Sequence, residues 1–223
     1  MEGQTLFSGS SGRGQLENLV RQGVDFPPGL KVPPGAAAKA REAAILILFG
    51  QVEEARDSDL LLLRRTDDLS HHPGQIAFPG GGRDPEDPDA TAAALREARE
   101  ETRLNPASVD VVGELTQVFL PNSNNLVTPV LGTWEDRPTL VPDGSETAEV
   151  FRVPTLELLD PDARRTAVSR NRFGEHVGPA FQLGSEFGGR LVWGFTAMVL
   201  DALFDELGWS EDWDKARTVD LWL

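Results

Sequence analysis

Three glycines behind a proline, Pro79-Gly80-Gly81-Gly82, lead through a short polar loop into a stretch in which Ala90, Ala93, Ala94, Leu95 and Ala98 recur at helical spacing. That pattern predicts a helix over roughly Ala90–Arg103, with a small-residue face able to lie close against a sheet and Asp89 or Asp87 as N-cap. Glu97, Glu100 and Glu101 follow one another at i, i+3 and i+4 on the remaining surface, which brings neighbouring Cβ atoms to roughly 5–6 Å. Carboxylates so close raise one another's pKa unless positive charge lies between them. Two readings stay open. The commoner one is a solvated acidic face balanced by Arg96 and Arg99. The other is a set of oxygen ligands for a hard cation such as Mg²⁺. The glycine turn favours the second, because backbone groups beside a helix N-terminus suit phosphate oxygens.

Around this segment the chain alternates between short apolar runs and turns. Ala43–Phe49 and Leu60–Arg64 read as buried strands, Ile76–Phe78 as a short one running into the glycines. Further strands are expected at Val109–Phe119, Leu126–Trp134, Val150–Val153 and Arg190–Trp193, with a helical turn at Thr155–Leu159 and a helix over about Thr196–Leu207. Strands interspersed with well-separated helices predict an α+β class, a mixed sheet covered by helices. Residues 1–42 read as a flexible arm containing a short helix (Leu16, Leu19, Val20) that ends at Gly23. The folded domain is expected over 43–207, and 208–223 as an acidic tail carrying Trp209, Trp213 and Trp222.

Composition narrows the function classes. A formal charge of −15, from 21 Lys+Arg against 36 Asp+Glu, argues against a nucleic-acid partner. No cysteine is present, which excludes disulfides, thiolate catalysis and cysteine-ligated metals. The longest apolar run, Ala43–Phe49, is too short to cross a bilayer and the N-terminus lacks a signal pattern. A soluble, cytoplasmic protein without a membrane partner is therefore the expectation.

Arg96-Glu97-Ala98-Arg99-Glu100-Glu101, with apolar Leu104 and the upstream glycines, resembles the Nudix box. That box reads Gly, five residues, Glu, seven residues, then Arg-Glu-apolar-x-Glu-Glu-x-Gly-apolar. Two positions depart from it. Pro88 stands where the first Glu belongs, and Asp87 fills that role if the loop, counted from Gly81, carries one extra residue. Arg103 stands at the terminal Gly, and Asn105 is expected to end the helix in left-handed geometry. Upstream, Leu61-Leu62-Leu63-Arg64-Arg65-Thr66, then Ser70, Gly74 and Phe78-Pro79-Gly80-Gly81 at intervals of three residues, is similar to the signature of the coenzyme A pyrophosphatase subfamily. Leu63, Thr66 and Ser70 replace its Thr, Ser and second Arg. His72–Phe78, Glu149–Pro154 and Trp193–Ala197 also look like this subfamily, so the resemblance spans about Ala43 to Leu207.

The resemblance implies a Nudix fold, a mixed β-sheet sandwiched between α-helices, and hydrolysis of a pyrophosphate bond in a nucleotide-containing small molecule. Coenzyme A or acyl-CoA, giving 3′,5′-ADP and (acyl-)4′-phosphopantetheine, is the substrate it favours. It implies Mg²⁺ or Mn²⁺ held by Glu97, Glu100 and Glu101, with Glu100 or Glu146 as the base. Arg96, which has no acceptor, would orient the glutamates. Arg65, Gly74, Phe78, Gly80 and Gly81 would contact substrate; a salt bridge from Arg65 to Asp67 or Asp68 is the plainer alternative. Other nucleoside diphosphate derivatives, oxidised nucleotides, or a catalytically inert Nudix-fold binding module are the competing readings. His71, His72 and His176 are expected to be surface or hydrogen-bonding residues. The tail tryptophans would serve either an interface, such as that of a homodimer, or packing on their own domain.

Overall fold

The protein is described by a computed structural model that covers residues 12–50, 58–70, 72–135, 138–171 and 174–221. Its helices are α1 (Gly12–Gln22), α2 (Ala90–Thr102), α3 (Thr155–Leu159) and α4 (Gly194–Glu206). Its strands are β1 (Arg41–Gly50), β2 (Asp59–Arg65), β3 (Ile76–Ala77), β4 (Gly80–Gly82), β5 (Asp110–Glu114) and β6 (Val118–Leu120). They continue with β7 (Asn125–Trp134), β8 (Thr147–Pro154), β9 (Arg164–Asn171), β10 (Gly174–Gln182), β11 (Leu191–Val192) and β12 (Thr218–Leu221). No helix among the described residues is long and apolar enough to cross a membrane.

A mixed sheet runs β3-β2-β1-β7-β5, with β8 paired to β2, β4 to β1 and β6 to β7. Its centre is the parallel pair β1–β7, in register from Arg41 opposite Asn125 to Gly50 opposite Trp134. β1 reads as a continuous apolar run because both of its faces are covered. Ala44, Leu46 and Leu48 meet Ala93, Ala94 and Ala98 of α2, while Ile45, Ile47 and Phe49 face the cluster built by α1 and α4. This is the expected α/β/α sandwich, and the small-residue face of α2 is what lets the helix settle onto the strands.

Several elements differ from the sequence pattern. Val109–Phe119 is not one strand: it breaks into β5 and β6, with an irregular register against β7 between Val111 and Gly113. The expected strand at Arg190–Trp193 is β11, at one edge of a second sheet, β11-β10-β9-β12, whose β9, Arg-Arg-Thr-Ala-Val-Ser-Arg-Asn, is too polar to show a strand's alternation. α2 ends at Arg103, which itself takes the left-handed conformation (φ 60°), and not at Asn105. Asn105 (φ −81°) instead caps the next turn by accepting from the Ala107 N–H.

The described part of the expected arm is packed. Leu16, Leu19, Val24, Phe26 and Leu30 are buried in the same core as β1 and α4. The tail also folds back: Trp209 is buried in that core against Phe204, and β12 pairs in parallel with β9. Trp213 lies over the Arg164 guanidinium, 5.0 Å from its ring centroid. These two tryptophans serve their own chain; Trp222, His71 and the first eleven residues lie outside the described residues.

Candidate active site

α2 crosses β1 and β4, and this brings its second half against the glycine turn. β4 pairs antiparallel with β1, Gly81 opposite Ala44 and Gly80 opposite Ile45. The Gly80 N–H donates to Glu101 Oε2 at 2.9 Å. A Cβ on Gly81 would stand 2.6 Å from the Glu97 carboxylate, so only glycine leaves that group its place. The turn therefore runs along the Glu97–Glu101 side of α2, not beside the helix N-terminus as the sequence suggested. At that terminus Asp89 is the N-cap, accepting from the Ala92 N–H.

Arg96 gathers the surrounding carboxylates. It donates to Asp87 from Nε and Nη2 (3.2 and 2.9 Å), to Glu97 at 3.0 Å, to Glu100 at 3.3 Å and to the Gly82 carbonyl at 2.8 Å. Asp87, the residue before Pro88, is thus the loop carboxylate that meets Arg96. The Arg96 hydrogen bonds hold the Asp87 carboxyl below the usual range, while the same partners raise the Arg96 pKa. Arg96 is saturated by these acceptors and acts as an organiser of the acidic face.

The glutamates divide by environment. Glu101 is 7% exposed, and burial pushes its carboxyl up to about 8, with the negative charge of Glu97 adding to the effect. Burial also raises Glu97, against the pull of Arg96. Glu100, with a side chain 60% exposed, leans to Arg96. Among the described residues no three acidic or histidine side chains are gathered closely enough to enclose an ion. The donor set nonetheless suits a hard dication. Two carboxylates are withdrawn from water one turn apart, Glu101 has, among the described residues, only a backbone N–H as hydrogen-bond partner, and Glu100 is free enough to swing in.

The remaining expected residues fall into two groups. Arg65, at the end of β2, points to the same side as Glu101 and acts on its charge. Among the described residues it pairs with Glu146, at 3.7 Å, and its buried Nε has no hydrogen-bond partner. Asp67 is taken by Arg64 instead, at 2.7 Å. Glu146 is exposed and sits in a loop tied to α2, since Asp143 N–H donates to the Glu101 carbonyl and Val141 N–H to that of Thr102. Arg65, Glu97, Glu100, Glu101, Glu146, Gly80 and Gly81 therefore surround one region. Phe78 does not join them; it is buried in the core on the α4 side. Gly74 (φ 66°) belongs to the Thr66–Gln75 loop, and a Cβ there would meet Asp67 Oδ1 at 2.7 Å. His72 is exposed and bonds Gln75 at 3.0 Å. Sequence reasoning passed over Arg64 and Arg190, which share Glu149 Oε1 at 2.9 and 2.6 Å. The adjacent pair Arg64-Arg65 was the available signal, since neighbours on a strand face opposite ways.

The NUDIX domain family model matches residues 39–172. The uncharacterized Nudix hydrolase NudL of Yersinia enterocolitica is 33% identical over 201 residues, 90% of this chain and 97% of that protein. The peroxisomal coenzyme A diphosphatase NUDT7 of Mus musculus is 45% identical over 102 residues, 46% of this chain and 43% of the mouse protein, so the alignment spans less than half of that relative. Among solved structures, a Nudix hydrolase from M. smegmatis, RenU, is 26% identical and aligns with 52% of this chain and 71% of its own, at a TM-score of 0.43.

Proposed function

Since the chain belongs to the Nudix hydrolase family, we propose that it is a divalent-metal-dependent pyrophosphohydrolase acting on a nucleotide-containing substrate, with coenzyme A or an acyl derivative as the favoured one. The observation that carries this reading is the pair Glu97 and Glu101, withdrawn from water against the glycine turn and raised in pKa by that burial. Glu97, Glu100 and Glu101 would hold Mg²⁺ or Mn²⁺, which when bound lowers the pKa of water and offsets charge on phosphate oxygens.

The chain's own groups supply the rest. Arg96 fixes Glu97 by a charge-assisted hydrogen bond and draws the exposed Glu100 to the same side. Among the described residues Arg65 makes one long ion pair, with Glu146, and with donors left over it would take a phosphate oxygen of the substrate. Glu100 and Glu146 are exposed carboxylates bordering the same region, and either can accept the proton of the attacking water. The coenzyme A assignment rests on the signature around Arg65 and Gly74–Gly81 and on the similarity to the mouse diphosphatase.

The test is a panel of coenzyme A, acetyl-CoA, ADP-ribose, diadenosine tetraphosphate and oxidised nucleoside triphosphates with Mg²⁺ or Mn²⁺, with products identified by mass. Release of 3′,5′-ADP from coenzyme A is expected. Arg65→Ala should raise KM by about tenfold or more, and Arg65→Lys should recover only part, because an ammonium lacks the planar fork. Ser70→Arg, which restores the signature residue, should improve coenzyme A turnover. Turnover of another pyrophosphate alone would keep the chemistry and remove the substrate. No turnover of any would favour an inert binding module.

A further inference from the structure

We propose that Glu149 is a positioning residue for the substrate loop, joining Arg64, Arg190 and, through Arg64, the Thr66–Gln75 loop that follows Arg65. The inference rests on the reading of Arg65 as a phosphate ligand. β2 ends in two arginines whose side chains leave on opposite faces of the sheet. Their pairing with β8 slips at that point: Arg64 lies opposite Glu149, but Arg65 lies opposite Thr147, so Ala148 is an extra residue. Such an irregularity re-aims the side chain beside it, and here that side chain is Arg65.

Glu149 pins the slip from the other face. Its Oε1 accepts from Arg64 Nε at 2.9 Å and from Arg190 Nη2 at 2.6 Å. Arg64 carries the tie onward, donating from Nη1 to Asp67 Oδ1 at 2.7 Å. The Asp67 carboxylate fills the space that a Cβ on Gly74 would need. Two backbone bonds close the loop at the same place, Arg65 N–H to the Gln75 carbonyl (3.0 Å) and Gly74 N–H to the Thr66 carbonyl (3.2 Å). Arg190 brings the second sheet into the joint: it comes from the turn before β11, donates to the Phe187 carbonyl at 2.9 Å and lies 5.4 Å over the Phe151 ring. One carboxylate therefore sets the direction of Arg65 from a position on the opposite face of the sheet, and the second sheet, through Arg190, helps to hold the substrate loop.

The experiment uses the full chain with Mg²⁺ and whichever of coenzyme A, ADP-ribose and diadenosine tetraphosphate the wild type hydrolyses. Glu149→Gln keeps the shape and removes the charge; it should raise KM about fivefold to tenfold with kcat within about threefold, since the catalytic carboxylates are not touched. Arg190→Ala should do the same to a smaller extent, and the double variant should be less than additive because both act through one oxygen. Glu149→Asp, charged but shorter, should recover part of the loss. Amide exchange at Arg65 and Gly74 should quicken by about fivefold or more in Glu149→Gln while the interior amides of α2 stay unchanged. Wild-type KM together with wild-type exchange at both amides would overturn the proposal, as would a fall in kcat that tracks a general loss of stability. Should Glu149→Gln not fold, Arg190→Ala decides by the same readouts. Should the wild type hydrolyse none of the panel, the hydrolase reading fails on its own and amide exchange alone judges the role of Glu149.

Discussion

Glu101 is charged at neutral pH only at a cost, because burial leaves it one backbone donor and a neighbouring carboxylate. Its folded-state pKa of about 8 lies above the value of about 4.5 expected in the unfolded chain. Between those limits the folded protein binds the extra proton, so metal-free stability should fall as pH rises through that window, by an order of a few kcal/mol. Glu101→Gln removes the dependence. In EDTA, the melting temperature of the wild type should drop relative to Glu101→Gln between pH 5 and pH 8. Mg²⁺ should restore the wild type at pH 8 and leave the variant unmoved, while hydrolysis by the variant falls at least about a hundredfold. Equal melting shifts from Mg²⁺ and from NaCl of matched ionic strength would mean a solvated acidic face after all. Asp87 works in the opposite sense. Arg96 holds it low, so its contribution is present above the ordinary carboxylate range and is lost as pH falls through its depressed value.

α2 and β4 act as one unit, because the helix can place Glu97 only where the strand has no side chain. Gly81→Ala should therefore be tolerated by the fold yet harmful to activity. The new methyl would meet the mobile end of Glu97, not backbone, so the carboxylate swings aside at small cost in stability. We expect the melting temperature within a few degrees of wild type and kcat lower by about a hundredfold, measured with saturating Mg²⁺. A variant with wild-type kcat would show that Glu97 does not need that position. The helix's other face explains its closeness to the sheet: Ala93, Ala94 and Ala98 are fully buried against Ala44, Leu46 and Leu48.

Both ends of the described chain close over the α4 side of the sheet. Trp209 Nε1 donates to Gln15 at 3.1 Å, and the Asp25 N–H donates to Glu206 at 3.2 Å, so the first helix and the segment after α4 are joined. Arg164, buried and paired with Asp201, lies between the rings of Phe181 (4.5 Å) and Trp213 (5.0 Å). Trp213→Ala removes one wall of that sandwich and should lower stability by about 2 kcal/mol. Chemical denaturation should show this loss with kcat/KM unchanged within twofold, since no group bordering the carboxylates is touched. Leu16→Ala, on the buried face of α1, should cost about 2–5 kcal/mol. A loss below about 1 kcal/mol would mean that α1 is detachable from the domain, in keeping with an independent arm.

Local pattern determined what depends on local pattern. The apolar runs of β1, β2 and β7 announce strands covered on both faces, and the alanine spacing of α2 fixes its buried side. The offsets of Glu97, Glu100 and Glu101 fix the side that carries charge. The Arg96 motif was legible for the same reason, since its partners lie within one helix and one short loop. Contacts between distant segments were not. The hairpin β9–β10 and the edge strand β12 form from polar sequence because neighbouring strands supply their hydrogen bonds. The burial of Leu16 and Trp209 depends on a core shared by segments far apart in the chain, from α1, β1 and α4. Asp67 pairs with Arg64 and not Arg65, and Glu149 is shared with Arg190, beside a register slip between β2 and β8. A pairing register belongs to two strands at once, so no single stretch of sequence contains it.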